Sequence, residues 1–171
     1  YFLSKNIFIN NLNKDIKIIQ TPLGQKKNKF FNFIEGTDNE GGAFNSLIEN
    51  KYQKKIKNSY NIMSTTIEEL INSNALKIPH YIKIDVDGNE YDILRGFGKY
   101  LKNKNLKEIL IEIDEDHKLE KIRILKILKK NGFNFYKKAS TKFEPKSYEN
   151  TFNYVFKKKW KKIYTFLPVH L

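Results

Sequence analysis

The sequence predicts an α/β open sheet, mostly parallel, finished by an antiparallel strand pair at its C-terminal end. Three observations predict it. Short alternating apolar runs such as YIKIDV and KEILIEI are bounded by turn residues and separated by stretches of helical period. From Tyr81 onward the order is strand, helix, strand, helix. Two late runs, NFYKKAS and TFNYVFKKK, then follow one another with no helical period between them, as an antiparallel hairpin would.

The elements follow in order. LSKNIFINNLN has the spacing of a helix, and IKIIQ at 16 to 20 reads as a strand stopped by Thr21-Pro22-Leu23-Gly24. KFFNFIE is a second strand, ended by the glycine-rich GTDNEGGAFNSL. The basic stretch from Lys51 to Asn61 fits a loop or a frayed helix. In STTIEELINSN, Thr66 and Glu69 stand at capping-box spacing and open a short helix. YIKIDV is a strand turned by Gly88, and Asn89 is placed to cap a helix on which Leu94, Phe97 and Leu101 recur at helical spacing. After the strand KEILIEI, Asp114, Glu115 and Asp116 put negative charge where a helix begins, and Lys129, Lys130 and Gly132 mark its end. In the last strand Phe152, Tyr154 and Phe156 share one face.

A chain of 171 residues, 40% hydrophobic and 14% aromatic, fills one core. No repeat or linker divides it, so residues 1–156 read as one domain and 157–171 as a basic, aromatic tail. That tail carries Trp160, Tyr164 and Phe166 among lysines; it fits a solvated end, with weak contact to an anionic surface as the other reading. No apolar run reaches the roughly 18 residues that span a bilayer. The absence of cysteine excludes disulfides and thiol chemistry and fits a cytoplasmic setting. Tyr1 is not an initiator residue and the chain starts inside a patterned segment, so an upstream part of a longer protein is expected to be absent. The net charge of +13 would suit nucleic acid. However, Arg95 and Arg123 are the only arginines, whereas a nucleic-acid groove recruits arginine for bidentate contacts.

YIKIDVDGNEYDILRG holds the chemistry. In an open parallel sheet, ligands bind beyond the carboxyl ends of the strands, which is where this strand becomes charged. Alternation would project Lys83, Asp85 and Asp87 to one face while Ile82, Ile84 and Val86 pack on the other. Pattern alone leaves two readings: a buried Lys83–Asp85 ion pair with Asp87 at the helix entry, or a ligand site. Glu112, at the end of ILIEI, favours the second, because acids from neighbouring strands would then converge. Ser46 could line the acceptor side if GGAFNSL acts as a lid. No histidine spacing builds a metal site, and a divalent cation would have to rest on carboxylates.

The order TTIEEL, YIKIDVDGNEYDILRG and ILIEI resembles the FkbM family of S-adenosylmethionine-dependent methyltransferases, whose pattern is a TTLDEL-like helix followed by IKIDVEGAE and LKG. IIQTPLG and GGAFNSL are similar to the family's Ala-Leu-Gly and Ser-Ser-Leu stretches, and the likeness runs roughly from Leu3 to Phe156. Asp87 stands where the family has Glu, and Asn89 where it has Ala. The resemblance implies a class I methyltransferase fold with Rossmann-like topology, S-adenosylmethionine as cofactor, and methyl transfer to a hydroxyl of a sugar or natural product. It places Asp85 and Asp87 on the acidic motif of the catalytic crevice, with Lys83 beside them, and Thr21 and Pro22 where such folds border the adenine. Asp85 would orient or deprotonate the acceptor hydroxyl, directly or through a divalent cation, and Glu112 and Ser46 would face the acceptor. No GxGxxG occurs, so the N-terminal strands and cofactor-gripping turn of that fold are not expected in this chain, and this piece alone is expected to bind the cofactor weakly or not at all and to be inactive. Two rivals remain: a metal-dependent glycosyltransferase using Asp85-Val86-Asp87 as a DxD motif, and a non-catalytic basic binding module.

Overall fold

Apolar residues three and four apart wind the start of the chain into α1 (Phe2–Ile9) in the computed structural model, which describes residues 2–34, 46–49, 59–140 and 150–158. Of that helix only Ile7 is buried. The IKIIQ run that follows is not a strand: Ile16, Ile18 and Ile19 are exposed, and no described residue forms a ladder with them. Alternation supplies the side-chain pattern of a strand, but the backbone groups still need a neighbour to bond. Pairing begins just beyond, where Leu23 bridges Thr65 and Gly24 N donates to Thr65 O at 2.9 Å.

A separate antiparallel sheet then forms from β1 (Phe30–Ile34), β2 (Ser46–Glu49) and β3 (Ser59–Met63), in the order β2-β1-β3. Its third strand corrects the loop or frayed helix expected up to Asn61; residues 51–58 lie outside the described residues, as do 35–45 of the glycine-rich run. SYNIM alternates weakly, so its strand character depends on the ladder it makes with FFNFI rather than on its own pattern.

Next comes α2 (Ile67–Asn72), with Ile67 and Ile71 buried. From there the predicted order is realised as β4 (Tyr81–Ile84), α3 (Glu90–Arg95), a 3-10 turn over Gly98–Lys102, β5 (Glu108–Asp114), α4 (Lys118–Lys130), β6 (Phe133–Ser140) and β7 (Thr151–Lys158). Gly132, at φ +86, ends α4. The sheet order is β4-β5-β7-β6. Only β4 and β5 run parallel; β7 is antiparallel to both β5 and β6, so this sheet is mixed rather than mostly parallel. The hairpin expected at the C-terminal end is present, and it lies inside the sheet, with β7 between β5 and β6.

The apolar face of β5 (Ile109, Ile111, Ile113) meets Leu94 and Phe97 from the α3 segment and Ile124 and Leu128 from α4, all of them buried. Side chains of this size contribute about 2 kcal/mol each when removed from water, so this layer between sheet and helices fixes where the strand ends stand. No described helix is long and apolar enough to cross a membrane. Trp160, Tyr164 and Phe166 lie outside the described residues.

Candidate active site at the carboxyl edge of the parallel strands

Parallel pairing sets Ile84 beside Ile111, so Asp85 and Glu112 follow at the same edge of the parallel pair, Asp85 just past the end of β4 and Glu112 still within β5, which runs on to Asp114 against β7. The two then part. β4 stops at Ile84, and strand alternation does not continue through Asp85, Val86 and Asp87. Gly88 takes φ +98, a left-handed conformation that suits glycine, and turns the chain into α3.

Asp85 pairs with Lys83, and both remain exposed at 43% and 62% of the side chain, so the pair forms but is not the buried one that the first of the two readings required. The pairing raises the Lys83 pKa through the hydrogen bond and charge of Asp85, with a further contribution from Glu112. Val86 and Asp87, expected on opposite faces, both line a hollow of about 320 Å³. Around it stand Glu90 from α3, Glu112, Ile113 and Asp114 from β5, His117, Glu120, Lys121 and Ile124 from the α4 segment, and Thr151 from β7. Asp87 and Glu112 are therefore brought together, whereas Asp85 is not among the lining residues. Thr21 and Pro22 sit half-buried in the segment before the Leu23 bridge, with Pro22 O accepting from Thr65 N at 3.0 Å, and do not line the hollow either. Ser46 opens β2 opposite Ile34.

Glu90 is the residue the sequence reading passed over. It is 7% exposed, and its carboxylate accepts from Gly88 N at 3.3 Å, a donor shared with Val86 O. Burial pushes its pKa up to about 7, against the lowering effect of the backbone donors at Glu90 and Gly88, and Glu120 and Glu112 add smaller upward contributions. The signal was present in the spacing: Glu90, Ile93, Leu94 and Phe97 fall on one helical face, so an acid stands where an apolar residue belongs. Asn89, at the cap position, makes no side-chain cap bond.

Two further features lie on or just past the neighbouring strands, outside the lining of the hollow. Asn153 stands opposite Glu112 in the β5–β7 ladder, and its Oδ1 is buried with no hydrogen-bond partner among the described residues. Glu115, one residue past β5, is held by Lys138 at 2.8 Å, by the Tyr154 hydroxyl and by Lys121 at 2.9 Å. Those donors lower its pKa to about 2. It thus anchors strand to helix instead of supplying charge at the helix start. Among the described residues, no group of three His, Asp or Glu side chains is arranged to hold a metal ion.

No curated protein and no solved structure matches the chain. Residues 3–135 match the family model described as the Methyltransferase FkbM domain. That match takes in β4, the Asp-Val-Asp-Gly turn, α3, β5 and α4, which together build most of the hollow, and it covers well over half of the sequence; the chain belongs to the FkbM methyltransferase family.

Proposed function

We propose that the protein acts in transfer of a methyl group from S-adenosylmethionine to a hydroxyl of a sugar or natural-product acceptor, on a class I methyltransferase fold. The observation that most supports this reading is an acid-lined hollow at the carboxyl edge of the parallel pair, within the segment that matches the family. When bound, S-adenosylmethionine supplies an electrophilic methyl group on a positively charged sulfur. The donor set suits that charge. Asp87 and Glu112 face the hollow, and the orphaned Asn153 Oδ1 beside Glu112 is a buried acceptor in want of a donor. Lys83 neutralises Asp85 outside the hollow, which leaves Asp87, Glu90, Glu112, Asp114 and Glu120 as the acids that line it. These side chains would hold the cation and align the acceptor oxygen, and alignment supplies much of the rate in such transfers.

The 171 residues contain no glycine-rich strand-to-helix turn, so the expected affinity for S-adenosylmethionine is weak. A titration with the cofactor, followed by amide NMR shifts, tests the site without requiring turnover. Shifts gathered on Val86 to Gly88 and Glu112 to Asp114 are the expected result. Shifts confined to other elements, or none at millimolar cofactor, would remove this hollow from the reaction. Transfer of labelled methyl to a panel of hydroxyl-bearing acceptors tests the activity itself.

A further inference from the structure

Glu90 opens α3 on the face that Ile93 and Leu94 use to reach the core, and it nevertheless lines the hollow. Burying an unpaired carboxylate is costly, and an amide or an apolar side chain would fill the position at less cost. Charged or titratable groups line the same hollow from each packed element: Asp87 from its own turn, Glu112 and Asp114 from β5, and His117, Glu120 and Lys121 from the α4 segment, while β7 brings the uncharged Thr151. Among the described residues no cation forms an ion pair with Glu90. The one nearby lysine, Lys121, is engaged by Glu115.

We propose that Glu90 is the catalytic base of this hollow, accepting the proton of the acceptor hydroxyl as the methyl group is transferred. The assignment rests on the methyltransferase reading above. The O–H electron pair becomes the new O–C bond, the S–C pair of the sulfonium donor returns to sulfur, and the proton passes to the Glu90 carboxylate. Position and environment divide the acids: Asp87 in the exposed turn after β4 and Glu112 on β5 are the more accessible and would hold a cation, while Glu90 is buried, desolvated and without a counter-ion. Its raised pKa makes the ionised form a stronger proton acceptor at neutral pH than an exposed carboxylate. Asp85, held by Lys83 in solvent, becomes a positioning residue at most.

The test follows methyl transfer from labelled S-adenosylmethionine between pH 5 and 9 with the full-length wild-type protein and its Glu90→Gln and Glu90→Asp variants, together with carboxyl titration by NMR of the protein labelled with ¹³C-glutamate. The wild-type rate should rise with a midpoint near 7, matching the Glu90 resonance. Glu90→Gln should lose about 100-fold or more in kcat and lose that pH limb, whereas Glu90→Asp retains the limb at a lower rate. Wild-type turnover with an unaltered rate and limb in Glu90→Gln would overturn the base while leaving the methyltransferase intact. A Glu90 resonance that titrates near 4.5 would overturn the base even if Glu90→Gln fails to fold. A full-length protein that binds S-adenosylmethionine and methylates no acceptor would remove the methyltransferase reading, and this role with it.

Discussion

Helices α2 and α3 are both six residues long and both follow a residue suited to capping, yet they begin differently. At α2, Thr66 is extended at φ −120 and its Oγ1 accepts from Glu69 N at 3.0 Å, while the Glu69 carboxylate reaches out to Lys27 at 2.9 Å. At α3, Asn89 sits at ψ 17 and caps nothing, and the first helical residue turns a carboxylate inward. The first arrangement meets an orphan donor with a neutral hydroxyl and leaves its acid in solvent. The second gives up that bond and buries a charge at the edge of the hollow. Local rules of helix stability are kept where the helix only supports the fold and set aside where it lines the candidate site.

The two helices touch at Gly96, and breaking that contact should have the largest effect. Gly96 O accepts from Glu68 N at 2.9 Å, and a Cβ at this position would stand 2.2 Å from Gly24 O. The obstructing atom is backbone, held by the Gly24–Thr65 bond, so it cannot swing aside. Gly96→Ala is expected to cost about 3 kcal/mol, read as a lower urea midpoint at unchanged slope. A loss under about 0.5 kcal/mol, the size of an ordinary surface substitution, would mean that residues 22–24 do not pack against the end of α3.

Next in size is the effect of Glu90 on stability. Its pKa of about 7 lies above the ordinary 4.5, so between those values the folded state binds more protons than the unfolded chain. Stability therefore falls as pH rises through that window and is level above it. At about 1.4 kcal/mol per pKa unit, and allowing for the polar amide that remains buried, Glu90→Gln should stabilise the protein by about 2 kcal/mol at pH 8 and by much less at pH 5. Urea unfolding at the two pH values checks the sign. At α2 the expectation reverses: Thr66→Ala should destabilise by about 1 kcal/mol, independent of pH.

How much of this was legible in the sequence depends on how local the cause was. YIKI and EILIEID were readable because each carries its own alternation, and Thr66 because its cap bond spans three residues. IKIIQ alternates equally well and is not a strand, since pairing needs a partner that alternation does not name. The β2-β1-β3 sheet was missed because its ladders join runs separated by a long polar and glycine-rich stretch. At the candidate site, the gathering of Asp87 and Glu112 followed from strand direction alone. The departure of Asp85 did not, because β4 ends one residue before it and its carboxylate pairs with Lys83 in solvent. Glu90 carried a signal, an acid at a core-facing helical position, but its burial beside Glu120 and Ile124 depends on how α4 packs.

The smallest predicted effect gives the cleanest reading of the comparison. Asn89 belongs to a residue type favoured at helix starts, and the usual cost of replacing such a cap with alanine is about 1 kcal/mol. Here its side chain makes no cap bond, and the nearest side-chain acceptor at the α3 start is Glu90, bonded to Gly88 N instead. Asn89→Ala should therefore change stability by less than about 0.3 kcal/mol, well below Thr66→Ala measured under the same conditions. In a Glu90→Gln background the outcome distinguishes two causes. If the buried carboxylate is what pulls the turn away from capping geometry, removing its charge should let Asn89 form the bond, and Asn89→Ala should then cost about 1 kcal/mol. If the double variant shows no such coupling, the left-handed turn at Gly88 sets the Asn89 conformation by itself, and α3 is uncapped for reasons of chain geometry rather than of charge.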